Sequence, residues 1–159
     1  GKEVTILDLG TGSGAIAVTL ATLIPQAKIV ATDISDEALA LAAENAKLHG
    51  AIAQIQFIKS DWYSNLSGKK FDFIISNPPY ISPDNKIYMA QETILYEPEH
   101  ALFAVENGLI NYRKIIFGLN NFLKNKNKVF LEIGFNQAED VINILKKYPF
   151  TEIVISKDL

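Results

Sequence analysis

Short apolar runs alternate along the chain with longer segments whose apolar positions repeat every three or four residues. The short runs predict β-strands at 4–9, 28–33, 54–60, 71–76, 129–133 and, at the end of the chain, 152–156. The longer segments predict helices at 15–24, 37–49, 109–123 and 137–147. Strands that alternate with helices predict an α/β fold with a mostly parallel, twisted sheet flanked by helices.

Local signals mark where several of these elements begin and end. Pro25 stops the first helix, Ser35 is suited to cap the second, and Gly50 follows its last turn. The lysine and asparagine run at 124–128 predicts a solvated turn before the strand at 129. Residues 81–107 predict an irregular loop, and a loop of that length in a compact domain is usually functional or disordered.

Length and composition indicate one soluble globular domain. The chain has 159 residues, of which 48% are hydrophobic and 21% charged. It contains no cysteine, which excludes disulfide scaffolds, thiolate metal sites and cysteine nucleophiles. We predict no metal site, no membrane association and a cytoplasmic location. The formal net charge of −3 argues against a protein that binds nucleic acid mainly through contacts of basic side chains with the phosphates.

A glycine-rich turn follows the first predicted strand and opens the first predicted helix. Gly10, Gly12 and Gly14 allow sharp turns and a close approach of the backbone to a ligand. Asp33 ends the second strand, where a dinucleotide fold places the acid that binds ribose hydroxyls. The pattern fits either a nicotinamide or flavin cofactor or S-adenosylmethionine, whose cationic groups suit an acid such as Asp8. A tight structural turn without a ligand is the weaker alternative.

A second acid, Asp61, follows the third predicted strand and precedes Trp62. With S-adenosylmethionine as the cofactor, Asp61 would lie near the adenine amine and Trp62 would pack beside the ring. The alternative is that Asp61 caps a turn and Trp62 is a partly buried core aromatic residue.

The tetrapeptide Asn77-Pro78-Pro79-Tyr80 follows the fourth predicted strand and decides between these chemistries. Its two prolines stiffen the backbone, so the Asn77 side-chain oxygen and the Pro78 carbonyl can act as two fixed acceptors. Two acceptors at that spacing suit a planar –NH₂ group, and Tyr80 can stack on it. Orientation would then favour methyl transfer to the nitrogen without a strong base. A plain rigid turn is the less favoured alternative.

Together these motifs resemble the amino-methyltransferases of the class I S-adenosylmethionine-dependent superfamily. Further segments are similar to the HemK/PrmC family, namely Tyr96-Glu97-Pro98, Ala101-Leu102, Gly108-Leu109, Tyr112-Arg113 and Glu132-Ile133-Gly134 with Gln137. The resemblance extends over essentially the whole chain. It departs from the family at 103–107, where the family usually has glycines and an acid.

This resemblance implies a Rossmann-like fold and a defined reaction. HemK/PrmC enzymes methylate the glutamine side-chain amide in the Gly-Gly-Gln motif of class-1 peptide release factors, the proteins that act in translation termination. The methyl donor is S-adenosylmethionine, and the product is S-adenosylhomocysteine. The implied cofactor-binding residues are Gly10, Thr11, Gly12, Ser13, Gly14, Asp33, Asp61, Trp62 and Asn77. The implied substrate-binding residues are Asn77, Pro78, Pro79, Tyr80 and Glu97, with Asn77, Pro78 and Tyr80 at the reacting nitrogen.

The resemblance also bears on domain organisation. Residues 1–159 correspond to the catalytic domain, and the helical N-terminal recognition domain of the family is absent from them. Because the chain opens with Gly1 and closes in a strand-like run, we expect a piece of a longer protein with its final strands truncated.

Three other functions remain open from the sequence. The first is methylation of an exocyclic amine of adenine or guanine in DNA or RNA, which would deliver the same kind of –NH₂ group by base flipping. The others are a nicotinamide-dependent oxidoreductase and a cofactor-binding module without activity. Nucleic acid is not the expected substrate, and release factors are the expected partners.

Overall fold

The computed structural model describes residues 3–79 and 108–157, which contain strands and helices in alternation. The strands are β1 (Val4–Leu9), β2 (Ala27–Asp33), β3 (Ile55–Lys59), β4 (Phe71–Ser76) and β5 (Leu123–Leu131). The helices are α1 (Ala15–Leu23), α2 (Asp36–Leu48), α3 (Ile110–Phe122) and α4 (Ala138–Leu145), with a short 3-10 helix at Ile52–Gln54. The predicted α/β class is confirmed.

The five strands form one parallel sheet in the order β3-β2-β1-β4-β5. The chain builds outward from β1 to β3 and then crosses to the other side of β1 with β4. Ligands of open α/β sheets bind at the carboxyl ends of the strands where this order reverses. In this sheet that position lies between β1 and β4, where Leu9 pairs with Ser76.

Two compact units share the described residues. The first, residues 3–77 and 118–132, contains the whole sheet with α1 and α2; the second consists of residues 78–79, 108–117 and 133–157. Small and branched side chains fill the core of the first unit, for example Ile6, Ala17, Ile29, Ala31 and Ala46. Because alanines add little bulk, they allow the helices to pack closely on the strands. No helix within the described residues is long and apolar enough to span a membrane.

The start of α2 follows the capping signal in the sequence. The Ser35 hydroxyl accepts a hydrogen bond from the Ala38 N–H at 3.1 Å, so the predicted cap is confirmed. Asp36 and Glu37 occupy the first turn and Lys47 the last, which complements the helix dipole at both ends. This cap fixes the direction in which the chain leaves β2, directly after Asp33.

The run at 124–128 is a bulged part of β5, so the predicted solvated turn is wrong. Leu123 pairs with Phe71 and Lys128 with Phe73, so β5 advances five residues where β4 advances two. Lys124 supplies a physical reason. Its ammonium donates to an Asp72 carboxylate oxygen at 2.8 Å and to the Thr5 hydroxyl at 2.9 Å, and these bonds hold the polar run on the sheet.

The end of the chain also differs from the prediction. Residues 152–156 form neither helix nor strand, although Ile153, Val154 and Ile155 have strong β propensity. These three side chains are exposed. Without a neighbouring strand among the described residues, the backbone of this run has no ladder to join, so propensity alone does not make it a strand.

Candidate functional site

The glycine loop between β1 and α1 depends on backbone conformations that favour glycine. Gly10, Gly12 and Gly14 have φ values of 70°, 56° and 81°. A Cβ on Gly14 would lie 2.9 Å from the Ala42 Cβ of α2, so this glycine is needed for packing. A Cβ on Gly12 would meet no described residue within 4 Å, so among these residues Gly12 borders open space at the carboxyl end of β1.

Hydrogen bonds from two neighbouring elements pin the rest of the loop. The Thr11 N–H donates to the Thr32 carbonyl at the end of β2, at 2.8 Å. The Asn45 side-chain amide, on α2, donates to the Ser13 carbonyl at 2.9 Å. The loop therefore has a fixed shape before any ligand binds, which lowers the entropic cost of binding.

Asp8 is a buried acid that binds the glycine loop through Thr11. It is only 1% exposed, and one carboxylate oxygen accepts a hydrogen bond from the Thr11 hydroxyl at 2.6 Å, while the other has no hydrogen-bond partner among residues 3–79 and 108–157. Burial raises the pKa of Asp8 to about 6, and the Thr11 hydrogen bond opposes this shift. Because the carboxyl is enclosed by protein, we assign it to the structure of the loop rather than to direct contact with a cationic ligand.

Asp33 lies against the glycine loop, as the sequence predicts. One carboxylate oxygen accepts from the Gly12 N–H at 2.9 Å and the other from the Ser35 N–H at 3.0 Å. The side chain is half-buried. Each carboxylate oxygen can accept a second hydrogen bond, so the oriented group can still bind a diol.

Asp61 and Trp62 follow β3 on the same edge of the sheet. Asp61 is exposed, and Trp62 is half-buried with a φ of 50°. A Cβ on Gly10 would lie 3.9 Å from Cζ3 of Trp62, so the indole packs beside the first glycine of the loop. The structure thus brings together an aromatic face, the loop and, through Gly12, the carboxylate of Asp33.

Asn77 lies at the carboxyl end of β4, beside the end of β1. The preceding residue, Ser76, donates its hydroxyl hydrogen to the Leu9 carbonyl at 2.7 Å, which ties the two strand ends together. The Asn77 side chain is exposed, so its amide is accessible to a ligand at the crossover position. β4 pairs directly with β1 in the sheet, so Asn77 follows the strand next to the one that leads into the glycine loop.

The next two residues of the motif belong to the second unit. Pro78 is buried, and Pro79 is half-buried with its carbonyl accepting from the Asn111 side-chain amide at 2.9 Å. Asn111 could not be identified from the sequence, because a side chain that bonds a backbone carbonyl leaves no motif. Tyr80 and Glu97, both predicted at the site, lie outside the described residues.

A cavity of about 340 Å³ lies at the opposite end of the sheet. It is lined by residues at the amino ends of strands, including Thr5, Lys28, Ile55 and Phe71. None of the predicted site residues that the structure describes lines it. The carboxyl edge is the better candidate, because parallel sheets bind ligands there and because the loop, Asp33, Trp62 and Asn77 all lie on it.

Comparison with known families identifies the domain that carries this edge. The family described as the methyltransferase small domain matches residues 2–143. The chain belongs to this family. Membership favours S-adenosylmethionine over a nicotinamide cofactor for the methyltransferase domain.

Relatives of this methyltransferase domain are larger proteins. It is 48% identical over 158 residues to a bifunctional methyltransferase of Rickettsia typhi, covering 99% of the chain and 30% of that protein. It is 44% identical over 146 residues to a release factor glutamine methyltransferase of Streptococcus pneumoniae, covering 92% of the chain and 51% of that protein. The chain thus spans between about a third and half of these relatives.

Solved structures show the same fold. A ribosomal protein L11 methylase of Lactobacillus delbrueckii is 27% identical, with a TM-score of 0.63 over 92% of this chain and 60% of that one. The hMettl16 catalytic domain, in complex with the MAT2A 3'UTR hairpin 1, is 18% identical, with a TM-score of 0.68 over 91% of this chain and 55% of that one. Both similarities support the Rossmann-like methyltransferase fold of the domain.

Proposed function

We propose that this methyltransferase domain transfers a methyl group from S-adenosylmethionine to the side-chain amide nitrogen of a glutamine, in the Gly-Gly-Gln motif of class-1 peptide release factors. The observation that carries the proposal is the place of Asn77, exposed at the carboxyl end of β4 beside the glycine loop of β1. The similarity to release factor glutamine methyltransferases over most of the chain supports the choice of substrate.

The residues of the first unit fit the cofactor. S-adenosylmethionine supplies an electrophilic methyl group on a sulfonium, and carries a ribose diol and an adenine ring. Asp33 has spare acceptor capacity for the diol, and Trp62 offers an aromatic face beside the loop. The open space at Gly12 leaves room for a ligand next to the backbone. In this proposal residues 10–14, Asp61 and Asn77 complete the cofactor site.

Asn77 and Pro78 would hold the substrate amide. An amide nitrogen is a weak nucleophile because its lone pair is delocalised into the carbonyl group. Two acceptors, the Asn77 side-chain oxygen and the Pro78 carbonyl, would bind its two N–H groups and direct the lone pair toward the methyl group. Such orientation and electrostatic preorganisation need no strong base, since the proton can leave after the new N–C bond forms. Pro79, Tyr80 and Glu97 would shape the rest of the substrate pocket.

The experiment incubates the intact protein with tritiated S-adenosylmethionine and either a class-1 release factor, the same factor with its Gly-Gly-Gln glutamine changed to alanine, or total RNA. We expect label in the unaltered factor and none in the other two. Label in RNA alone would contradict the proposed substrate and favour an exocyclic base amine.

A variant tests the role of Asn77 in the same assay. Asn77→Ala should lower the rate of transfer by about 100-fold or more, the usual effect of removing one preorganised hydrogen-bonding group. Because the side chain is exposed, the melting temperature should stay close to that of the wild type. Transfer at the wild-type rate would refute the acceptor mechanism, whatever the substrate.

A further inference from the structure

Ser60, the residue between β3 and Asp61, is a buried polar residue for which the proposed reaction gives no role. It is 4% exposed. Its hydroxyl lies 2.8 Å from the Trp62 carbonyl, 3.1 Å from the Asn65 N–H and 3.2 Å from the Ser64 hydroxyl. A serine hydroxyl has one donor and two acceptor sites, so these three partners use all of them.

The direction of each bond follows from this count. The carbonyl of Trp62 can only accept, so it takes the single hydroxyl hydrogen of Ser60. The Asn65 N–H and the Ser64 hydroxyl must then donate to Ser60. Ser64 also accepts a hydrogen bond from the Asp61 N–H at 3.2 Å, which closes a network around the turn.

The turn held by this network contains a strained residue. Among residues 3–79 and 108–157, Trp62 is the only non-glycine residue with a positive φ, at 50°. Bulky side chains rarely adopt this conformation, and it persists where the surroundings over-determine it. The bond from Ser60 restrains the peptide that follows Trp62 and thus helps to maintain this conformation.

Ser60 is itself firmly anchored. Its N–H donates to the Asp33 carbonyl at 2.9 Å, which continues the β2–β3 ladder by one residue. The hydroxyl therefore reaches the Trp62 turn from a rigid strand end, and the indole in turn packs beside Gly10.

From these contacts we propose that the Ser60 hydroxyl is a positioning residue for the adenosine part of the cofactor. It touches no ligand itself; it fixes the backbone of Trp62 so that the indole presents its face next to the glycine loop. This inference rests on the proposed cofactor site.

The test uses the fluorescence of Trp62, which is the single tryptophan of the chain. The intact chain and its Ser60→Ala variant are titrated with S-adenosylhomocysteine while the emission of Trp62 is followed. We expect Ser60→Ala to weaken binding by about tenfold, the effect of losing one buried hydrogen bond. We also expect the variant's emission to shift toward that of exposed tryptophan, with a smaller response to the ligand.

Two controls separate positioning from stability. Ser67→Ala removes an exposed hydroxyl in the same connection and should leave both affinity and emission unchanged. Ile6→Val removes a methyl group from the core of the same unit, so it should lower the melting temperature without weakening binding. If Ser60→Ala does not fold, Ser60→Cys leaves no cavity and keeps a donor, although a larger and weaker one, and should give an intermediate loss of affinity.

The outcomes distinguish the two proposals. If the wild type fails to bind S-adenosylhomocysteine, or binds it without a change in Trp62 emission, the proposed cofactor site is wrong. If the wild type binds with the expected change, and the Ser60 variant that folds shows the same affinity and emission, the positioning role of Ser60 is refuted and the cofactor site stands.

Discussion

Gly14 and Gly12 have the same type of backbone conformation but different surroundings, so they make a matched pair of substitutions. Alanine at either position must adopt a positive φ, which costs about 1–2 kcal/mol relative to glycine. Alanine also reduces the entropy of the unfolded chain, which offsets about 0.4–1 kcal/mol of that cost. For Gly12→Ala the net loss should therefore be about 1 kcal/mol, since its Cβ meets nothing within 4 Å.

Gly14→Ala has a second cost. Its Cβ would lie 2.9 Å from the Cβ and 3.1 Å from the Cα of Ala42, well inside van der Waals contact. Overpacking of this kind costs about 1–3 kcal/mol, because the atoms that must move belong to a helix backbone. The total is about 3 kcal/mol, which corresponds to a decrease in melting temperature of about 6–12 °C for a domain of this size.

Thermal and urea unfolding, followed by circular dichroism, measure the stability of both variants, and titration with S-adenosylhomocysteine measures binding. We expect Gly14→Ala to lose the most stability. Gly12→Ala should lose little stability but most of its affinity for S-adenosylhomocysteine, because its Cβ projects into the space that we propose for the cofactor. Equal melting temperatures for the two variants would refute the packing argument, and normal binding by Gly12→Ala would refute that position of the cofactor.

A compensating substitution tests the same contact directly. In the Gly14→Ala background, Ala42→Gly removes the closest atom while leaving the Ala42 Cα in place. We expect a favourable coupling of about 1 kcal/mol in a double-mutant cycle, measured by urea unfolding. If the changes in the free energy of unfolding are additive, an alanine side chain at position 14 does not clash with Ala42.

Further predictions concern a buried acid, a helix glycine and a side chain behind the motif. Since the pKa of Asp8 is raised from 3.8 to about 6 when the protein folds, stability should increase as the pH falls from 7 toward 4, by up to about 3 kcal/mol. Asp8→Asn should abolish that increase in stability, as measured by urea unfolding at each pH. If the variant shows the same pH profile as the wild type, Asp8 is not its source. Gly118→Ala should destabilise the protein by about 1–2 kcal/mol in thermal unfolding. The overlap of its Cβ with the Tyr63 ring outweighs the gain of about 1 kcal/mol in helix propensity. A raised melting temperature would show that the Tyr63 ring moves aside at little cost. Asn111→Asp removes the donor to the Pro79 carbonyl. It should lower kcat for methyl transfer by about tenfold and leave the affinity for S-adenosylhomocysteine unchanged. An unchanged kcat would show that Asn111 does not help to position the motif.

Local sequence signals were sufficient for most of the fold. Val4–Leu9 and Phe71–Ser76 have the predicted bounds, and Ser35 caps α2 as predicted, because β-rich runs and caps depend on neighbouring residues. The errors lie where distant residues decide. Lys124 is held on the sheet by Asp72, more than fifty residues earlier in the chain. The apolar run at 152–156 has no strand to pair with in the part of the chain that the structure describes.

The sequence was sufficient to predict where the candidate site residues lie, but not the hydrogen bonds that hold them there. Asp33 and Trp62 could be placed at the glycine loop because all follow strands of one parallel sheet. The hydrogen bonds that fix them, from Gly12 to Asp33 and from Ser60 to Trp62, could not be read from spacing. Such bonds depend on how each turn is built after folding, and backbone partners carry no residue signature. The binding and catalytic roles of all the predicted site residues, including Tyr80 and Glu97, remain predictions.

The strand order also has a consequence for how the protein folds. β1, β2 and β3 pair in sequence, so contacts near in the chain complete the half that carries the glycine loop, Asp33 and Trp62. β4 must instead return to β1, and the Thr5–Asp72 hydrogen bonds close a loop of 67 residues. Closing a longer loop costs more entropy, so this step should come late. In the proposed function, a partly folded chain would then assemble the glycine loop, Asp33 and Trp62 before Asn77 is in place, and methyl transfer would wait until β4 has docked.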